Sequence, residues 1–429
     1  MKVLRPEDKG YKKAVAALVR RAAPDPEVRV VVAKILAAVG SKGDAALIRY
    51  TKKFGGPALT AAQIPVAPAE TARAIAELPA ETRRAIFAAR TNVRNFARRS
   101  LRKSWFMKNR QGAVVGERFD PFRRVGIYIP GGTAPLVSSA IMTCTLAAAA
   151  GVPEIVAVTP AGKNGAVHPA LLAALAGCGA TEIYRVGGAQ AIAALAFGTK
   201  TIRPVQKIFG PGNAFVVEAK RQVFGRVAVD LLPGPSEVLV IADRSAEPEW
   251  IAADLLAQSE HGPGSQAVLV TDSRKILSSV KKALARQIKL SKRPKELAAG
   301  LKNATLVLVP DRDSAVRLVN DFASEHVSIA TAQPGEIALQ LTTSGGIFLG
   351  GLSPVAGGDF LAGPSHELPT GGAGRSFAGL TVDQFQRRTS VVMFDKPSLR
   401  ASLPFLETFS RIEGLDAHGR SARIRLEKK

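Results

Sequence analysis

The sequence predicts an α/β protein with two doubly wound parallel sheets, a helical N-terminal part and a small C-terminal arm. From residue 113 onward, short β-branched runs alternate with Ala- and Leu-rich helical stretches, which is typical of βαβ units. The runs form two series of similar length on either side of a Pro-Gly-Pro segment at 233–235. Because most of them are apolar throughout, they indicate parallel sheets that are covered on both faces.

The elements are predicted in chain order as follows. Helical periodicity in the first third, punctuated by proline, predicts helices at 11–21, 26–39, 43–54 and 69–103, the last broken near Pro79. The first strand series is predicted at 125–129, 154–158, 182–186 and 227–231. The second series is predicted at 238–241, 267–270, 305–309, 327–330 and 347–349. After about residue 380 such signals are fewer and charge is more frequent, which predicts the appended arm.

Length and composition point to an ordinary globular enzyme-sized chain. With 429 residues and 46% hydrophobic residues, it can bury a large core divided among two or more domains. Cys144 and Cys178 form neither a disulfide framework nor a CxxC pair, and the first residues lack the apolar core of a signal peptide. We therefore expect a cytoplasmic protein. The uncharged stretch at 125–153 is interrupted by prolines, so we expect a buried strand and helix there and no membrane partner.

The chain is strongly basic, with a formal net charge of +24, and most of the excess lies in residues 1–124. Arg90, Arg94, Arg98 and Arg102 recur every four residues and would form one stripe on a helix. Such a stripe is either a nucleic-acid contact or a solvated helix face. No nucleic-acid motif is present and the aromatic residues are not interleaved as stacking platforms, so we expect no nucleic-acid partner.

Four of the five histidines lie beside carboxylates, which predicts one metal and proton-transfer site. These four are His261, His326, His366 and His418, all in the last 170 or so residues. The fifth, His168, has no such neighbour and is predicted to be structural.

Two segments offer metal ligands. Gln258 and His261 fall three residues apart on the last turn of a predicted helix, so an amide oxygen and an imidazole nitrogen can meet one cation. Alone, this spacing is more often a plain helix end. Asp359 follows two glycines and could supply an oxygen ligand from a loop that approaches the metal closely, although by itself it would be interpreted as a turn residue.

The dipeptide Glu325-His326 is predicted where a helix passes into a strand, at the end of a βα unit. A carboxylate beside an imidazole can take an alcohol proton in one step and position water in another. An exposed Glu with a partly buried His is an equally good interpretation of the dipeptide alone. Glycine-rich turns at 131–135, 186–190 and 209–213 each follow a strand-like run and could cradle phosphates, but no GxGxxG follows any strand, so the ligand is not specified.

Together these segments closely resemble the histidinol dehydrogenase family. The likeness runs from about residue 25 to the end of the chain. It rests on YIPGGTA (128–134), GGAQAIA (187–193), GPGN (210–213), GPSE (234–237), EHGP (260–263), SEHV (324–327), GPSH (363–366), LPTGG (368–372) and EGLDAH (413–418). The stretch at 142–148 lacks an Asn-Pro and a Lys associated with the family, and Leu232-Pro233-Gly234 replaces a more usual Ala-Gly.

The resemblance implies a cytoplasmic homodimer that oxidises L-histidinol through L-histidinaldehyde to L-histidine with two NAD⁺. Glu325 would activate water and His326 would be the general base. One zinc ion per subunit would be held by Gln258, His261, Asp359 and His418 of the partner subunit. Histidinol would contact Ser236, Gln258, His261, Glu325, His326, Asp359, His366, Glu413 and His418. NAD would contact Tyr128, Gln190 and Asn213. A relative that oxidises another small amino alcohol or a sulfonated polyol is the alternative.

The expected domain division has four parts, and the two α/β units are expected to be incomplete Rossmann-like domains. Residues 1–24 form a helical extension. Residues 25–127 and 236–380 form a discontinuous first α/β domain, and 128–235 form an inserted α/β domain on the NAD side. Residues 381–429 form a C-terminal dimerisation arm.

Overall fold

The computed structural model describes residues 1–19, 25–131, 135–262, 264–292 and 294–427. The strands are β1 (Lys2–Leu4), β2 (Trp105–Lys108), β3 (Val114–Pro121), β4 (Arg124–Tyr128), β5 (Glu154–Val158), β6 (Glu182–Tyr184), β7 (Lys207–Phe209), β8 (Ala228–Val229), β9 (Glu237–Ala242), β10 (Gln266–Thr271), β11 (Thr305–Leu308), β12 (His326–Ala330), β13 (Gly346–Leu349) and β14 (Gln386–Met393). The helices before β9 are α1 (Tyr11–Leu18), α2 (Pro26–Lys42), α3 (Asp44–Lys53), α4 (Pro68–Ala76), α5 (Ala80–Ser100), α6 (Val137–Ala149), α7 (Pro169–Gly177), α8 (Gly188–Phe197) and α9 (Ala214–Val223). Those after it are α10 (Pro248–Ser259), α11 (Arg274–Gln287), α12 (Pro294–Gly300), α13 (Arg312–Phe322), α14 (Pro334–Ala338), α15 (Val355–Phe360), α16 (Lys396–Glu413) and α17 (Asp416–Arg423).

Two parallel sheets form the body of the molecule, which confirms the predicted α/β class. One sheet has the order β6-β5-β4-β7-β8, and the other has β1-β11-β10-β9-β12-β13. In each sheet the earliest strand of its series, β4 or β9, lies in the centre, the next two strands extend one side and the last two extend the other. The two sheets therefore share one strand order, with β1 added at the outer edge of the larger sheet.

The central strands are buried over their whole length, as their apolar sequences predict. In β4, Val125 and Ile127 face one core layer, while Tyr128 faces the other. The second strand series shows the same alternation, because Val238 and Leu239 lie in different core clusters. Both sheets are therefore covered by helices on both faces.

The expected domain division needs correction, because residues 25–127 pack with 128–235 rather than with 236–380. Val32 and Ile35 of α2 share a core cluster with Ile192 of α8, and Val93 of α5 shares another with Ile141 of α6. The apolar faces of these N-terminal helices thus fill the layers over the five-stranded sheet. That sheet also takes β4 as its centre.

The first residues are not purely helical. Lys2–Leu4 pairs in parallel with β11, and Tyr11 and Val15 of α1 pack against the core of the six-stranded sheet. The predicted helix at 11–21 ends at Leu18, and residues 20–24 lie outside the described part of the chain. The predicted break near Pro79 is confirmed by the gap between α4 and α5.

A third sheet holds the C-terminal region to the middle of the chain. It is antiparallel, with the order β14-β3-β2, and β14 pairs with β3 over their whole length. Beyond it, α16 and α17 pack on each other through buried Ser410 and Gly419. Among the described residues, no helix combines the length and apolar character needed to cross a membrane.

Candidate active site

The sequence-predicted catalytic pair lies at the amino edge of the six-stranded sheet. Because β9 and β12 are parallel neighbours, the residues that precede them meet at this edge. The Glu325 carboxylate accepts hydrogen bonds from Ser236 Oγ (2.6 Å) and from the backbone N–H of Glu237 (2.8 Å). Burial raises the pKa of the Glu325 carboxyl, and these donors together with His326 oppose that shift.

His326 is held by groups on three segments. Its Nδ1 lies 3.2 Å from the carbonyl oxygen of Glu237 and 3.5 Å from Glu325 Oε2, and its Nε2 lies 3.4 Å from Asp359 Oδ1. Burial acts to lower the pKa of His326, but the Asp359 and Glu325 carboxylates outweigh it and raise the pKa above the usual value. If Nδ1 donates to the carbonyl, Nε2 is the nitrogen left to accept a proton.

A cleft of about 610 Å³ opens beside this pair. Its walls include His326, Asp359 and His366, together with the β13 strand and the 361–368 loop. His366 Nδ1 lies 2.8 Å from the carbonyl oxygen of Asp359, which fixes the ring against α15. The volume falls in the range of small-molecule sites.

Three of the predicted metal ligands surround the same region. Gln258 is a buried residue in the last turn of α10, and its Nε2 has no hydrogen-bond partner in the described structure. His261 follows in an exposed loop. Partial desolvation lowers the pKa of the His261 imidazole. The nearby His326 and His366 act in the same direction, and the Asp359 carboxylate opposes them. Burial acts to raise the pKa of Asp359, but the three histidines outweigh it and lower the pKa.

One described chain does not complete a metal site. No group of three or more His, Cys, Asp or Glu side chains in the described ranges is arranged to hold a metal ion. His418 lies exposed on α17, and Glu413 ends α16, also exposed. The described backbone hydrogen bonds of His418 run to Leu415 and to Ser421. Of the four clustered histidines predicted, the structure thus brings His261, His326 and His366 together and leaves His418 apart. His168 caps α7 through Nδ1, as befits a structural residue.

The predicted NAD contacts lie at the carboxyl edge of the five-stranded sheet. Tyr128 ends β4, Gln190 lies in the first turn of α8, and Asn213 is the N-cap of α9. The Tyr128 hydroxyl accepts from the backbone N–H of Gly188 at 3.2 Å. Gln190 is buried, and its Oε1 has no hydrogen-bond partner in the described structure. Of the predicted turn at 131–135, residues 132–134 lie outside the described part.

The unit of the five-stranded sheet contacts one wall of the cleft beside His326. Ser139 of α6, on the side of the five-stranded sheet, places its Oγ 3.4 Å from His366 Nε2. Glu367, buried next to His366, places Oε1 3.5 Å from the same nitrogen. Sequence analysis missed both residues. Glu367 could have been found, because it directly follows the GPSH motif, whereas Ser139 could be assigned only once the fold was known.

The chain is similar over nearly its whole length to known histidinol dehydrogenases. The family model described as histidinol dehydrogenase matches residues 18–426. The histidinol dehydrogenase of Rhizobium meliloti is 44% identical over 93% of this chain and 92% of its own, and that of Geobacillus kaustophilus is 44% identical over 94% and 95%. The crystal structure of histidinol dehydrogenase from Elizabethkingia anophelis superposes with a TM-score of 0.93 at 33% identity, covering 99% of this chain and 98% of that one.

Proposed function

The chain belongs to the histidinol dehydrogenase family and is an oxidoreductase that acts on histidinol, and on that premise we propose that it oxidises L-histidinol to L-histidine in two NAD-dependent steps with zinc in its site. The observation that carries the proposal is that Glu325 and Asp359 both contact His326 at the wall of one cleft. A carboxylate and an imidazole at one position supply both groups that an alcohol oxidation followed by an aldehyde oxidation needs.

In the first step, His326 accepts the hydroxyl proton of histidinol while the carbinol carbon loses hydride to NAD⁺. The Glu237 carbonyl oxygen beside Nδ1 fixes the imidazole so that Nε2 faces the cleft. The Asp359 and Glu325 carboxylates raise the pKa of His326, which makes its neutral imidazole a stronger proton acceptor. The products of this step are histidinaldehyde, NADH and one proton.

In the second step, Glu325 orients the water that adds to the aldehyde carbon, and the hydrate loses a second hydride to NAD⁺. Ser236 and the Glu237 N–H hold Oε2 of the carboxylate, so its direction is set before the substrate arrives. The raised pKa of Glu325 makes it a better proton acceptor than an exposed carboxylate.

The donor set fits zinc. Gln258, His261 and Asp359 would supply an amide oxygen, an imidazole nitrogen and a carboxylate oxygen, which are ligands that zinc accepts. The unpartnered Gln258 Nε2 is a hydrogen-bond donor and cannot ligate the metal, so this role would fall to the amide oxygen of the same side chain. When bound, the metal would supply a positive charge that orients the substrate's imidazole and amine. His366 and Ser236 line the same region and would contact the substrate.

Two observations support the proposed NAD-binding site: the geometry of the turns before α8 and α9, and the buried amide of Gln190. Backbone N–H groups at the first turns of α8 and α9 face the carboxyl edge of the five-stranded sheet, where open α/β sheets bind nucleotides. The buried Gln190 Oε1 lacks a partner, as expected of a group that a ligand satisfies. Tyr128 and Asn213 flank the same edge.

A homodimer with shared sites is proposed from the C-terminal arm. The α16 and α17 helices leave several large apolar side chains exposed, among them Phe405, Phe409 and Ile412. Clustered exposed apolar residues of this kind mark interfaces. The arm also carries Glu413 and His418, so docking on a second subunit would bring a fourth zinc ligand, His418 of the partner subunit, to each site.

We also propose a cytoplasmic location, since Cys144 and Cys178 are buried free thiols.

The decisive test is direct. Purified protein is mixed with L-histidinol and NAD⁺, NADH is followed at 340 nm, and histidine formation is quantified beside a panel of other amino alcohols and sulfonated diols. We expect two NADH per histidine and a clear preference for L-histidinol. A strong chelator should abolish turnover while circular dichroism stays near native, and added zinc should restore it. Activity that survives removal of all metal would refute the zinc assignment.

A further inference from the structure

A buried ion pair lies directly behind the glycine turn that precedes α9. The Lys220 ammonium, on α9, contacts the Asp230 carboxylate, which follows β8, and the two side chains are 0% and 3% exposed. Burying two charges costs several kcal/mol per ion in desolvation, and an apolar pair of the same volume often stabilises a protein more. We call Lys220 and Asp230 the Gly210 pair, after the residue that both of them contact. The cost of burying this pair indicates a role beyond stability.

The Gly210 pair binds both polar backbone groups of one residue. The N–H of Gly210 donates to Asp230 Oδ2 at 2.7 Å, and Lys220 Nζ donates to the carbonyl oxygen of Gly210 at 2.8 Å. Gly210 has φ of +108°, and a Cβ built there would lie 2.1 Å from the carbonyl oxygen of Tyr128. The glycine is thus pressed against the end of β4 and held by charged groups on both sides of its backbone.

This glycine begins the turn that carries part of the proposed NAD site. Three residues later, Asn213 caps α9 by accepting from the N–H groups of Phe215 and Val216. The same glycine touches the backbone of Tyr128, whose hydroxyl accepts from Gly188. Any movement of Gly210 would therefore displace two of the three proposed NAD contacts at once.

We propose that Lys220 and Asp230 are positioning residues that set the affinity for NAD by fixing the turn at 210–213. This inference rests on the proposed NAD site. Both side chains are almost fully buried, and neither lines the cleft beside His326. Their loss should therefore weaken NAD binding and leave the chemical step unchanged once NAD saturates the enzyme.

The chain offers a matched control at the opposite edge of the same sheet. Arg124 is also buried, with 7% of its side chain exposed, and it donates to the half-buried Glu154 and Glu182 at 2.7 Å each. These bonds join the amino ends of β4, β5 and β6 and touch no backbone group of a glycine turn. Arg124→Met should therefore destabilise the fold without changing the affinity for NAD.

The experiment compares Lys220→Met, Arg124→Met and wild type by calorimetric NAD binding and by steady-state kinetics with both substrates varied. For Lys220→Met we expect the Kd and KM for NAD to rise roughly tenfold, the effect of losing one charged hydrogen bond. The KM for histidinol and kcat at saturating NAD should stay near wild type. An unchanged Kd, or an equal rise in both KM values, would overturn the proposal, as would the same NAD defect in Arg124→Met.

A second variant covers the case in which Lys220→Met leaves Asp230 unpaired and fails to fold. Lys220→Met combined with Asp230→Asn is neutral and keeps an acceptor for the Gly210 N–H, but it still lacks the donor to the Gly210 carbonyl. It should fold and still bind NAD weakly, and normal NAD affinity in it would refute the proposal. Wild type that binds NAD but does not oxidise histidinol would refute the proposed function and leave the Kd comparison valid, whereas wild type that binds no NAD would refute both.

Discussion

The two parallel sheets share one strand order but work at opposite edges. The five-stranded sheet places Tyr128, Gln190 and Asn213 at its carboxyl edge, where α/β sheets usually bind ligands. The six-stranded sheet places Glu325 and His326 at its amino edge. The shared strand order therefore does not decide which edge carries the chemistry. The contact between Ser139 and His366 instead brings the unit of the five-stranded sheet against the cleft at the amino edge of the six-stranded sheet.

The carboxyl edge of the six-stranded sheet shows why it is not the working edge. There Asp243 follows β9 and accepts from the backbone N–H of Ala332, which follows β12, at 3.0 Å. This bond closes the crevice between the two strands, and the remaining hollow has a volume of about 130 Å³. At the other end of the same two strands, Glu325 accepts from Glu237 in an equivalent bridge, and the adjacent His326 lines a cleft about five times larger.

The largest predicted effect sharpens this contrast between the two ends of β9 and β12. Glu325→Gln and His326→Asn should each lower kcat by roughly 10² or more, because a general base or a water-positioning group is lost. Asp243→Asn removes the charge from the equivalent bridge at the other edge and should retain most of the activity. Steady-state kinetics and thermal unfolding of the three variants check this. Comparable activity losses at both edges would show that the bridges matter only for folding.

The two catalytic substitutions should also differ between the two steps. If Glu325 activates water, Glu325→Gln impairs oxidation of histidinaldehyde more than oxidation of histidinol. His326→Asn should slow both, since a hydroxyl proton leaves in each step. Single-turnover measurements with each substrate separate the two cases. Equal losses for both substrates in Glu325→Gln would contradict this division of labour.

A second prediction tests whether each active site needs the C-terminal arm of a second subunit. His261→Ala and His418→Ala are each expected to be inactive, and subunits of the two variants are then mixed and allowed to exchange. In a crossed dimer with shared sites, one site takes both defects and the other takes none. About half the dimers would be crossed, so the mixture should recover about a quarter of wild-type activity in a C₂ assembly.

If His418 acts within its own chain, every site keeps one defect and no activity returns after exchange. Mass spectrometry of differently tagged subunits verifies that exchange has occurred. A mixture of His261→Ala with itself is the matched control and should stay inactive throughout.

The strand series and the catalytic dipeptide could be predicted from the sequence because their signals are local. Apolar runs such as 154–158 and 238–241 are confirmed as β5 and β9. As expected, Glu325 directly precedes β12 and His326 is its first residue. Strands β1, β2, β3, β7 and β14 were missed. β1 and β7 are only three residues long, and β2, β3 and β14 form a largely exposed antiparallel sheet in which no long apolar run marks the strands.

Long-range packing could not be predicted in the same way. The sequence of α2 shows an apolar face but not which sheet that face covers, and the expected domain division assigned it to the wrong one. Ser139 similarly meets His366 only because α6 and the 361–368 loop are brought together by the tertiary fold. The contacts proposed for zinc and NAD stay predictions until the ligand experiments are done.

A third, smaller effect sharpens the comparison at the NAD edge. Gln190→Leu removes a buried amide whose Oε1 has no partner in the described structure and replaces it with an apolar group of similar size. An unmet buried polar atom costs about 1–3 kcal/mol, so the unliganded variant should melt at a higher temperature than wild type. The KM for NAD should rise roughly tenfold, because the amide can no longer bind the ligand. Scanning fluorimetry with and without NAD checks both effects, and a lower melting temperature would contradict the argument.

The smallest predicted effect concerns Asp254, which lies on α10 one turn before Gln258. Burial raises the pKa of its carboxyl to about 6, and the backbone N–H of Val355 partly opposes the shift. A raised carboxyl pKa means that the folded state prefers the protonated form, so this contribution to stability is present at low pH and is lost as pH rises through about 6.

Asp254→Asn keeps an acceptor for Val355 and cannot ionise, so it should not lose that stability. The melting temperature of the variant relative to wild type should therefore increase between pH 4 and pH 7, by about 1 °C for about 1 kcal/mol because the group is only partly buried. A difference between Asp254→Asn and wild type that is constant with pH would show that Asp254 titrates in the folded protein as it does in the unfolded chain.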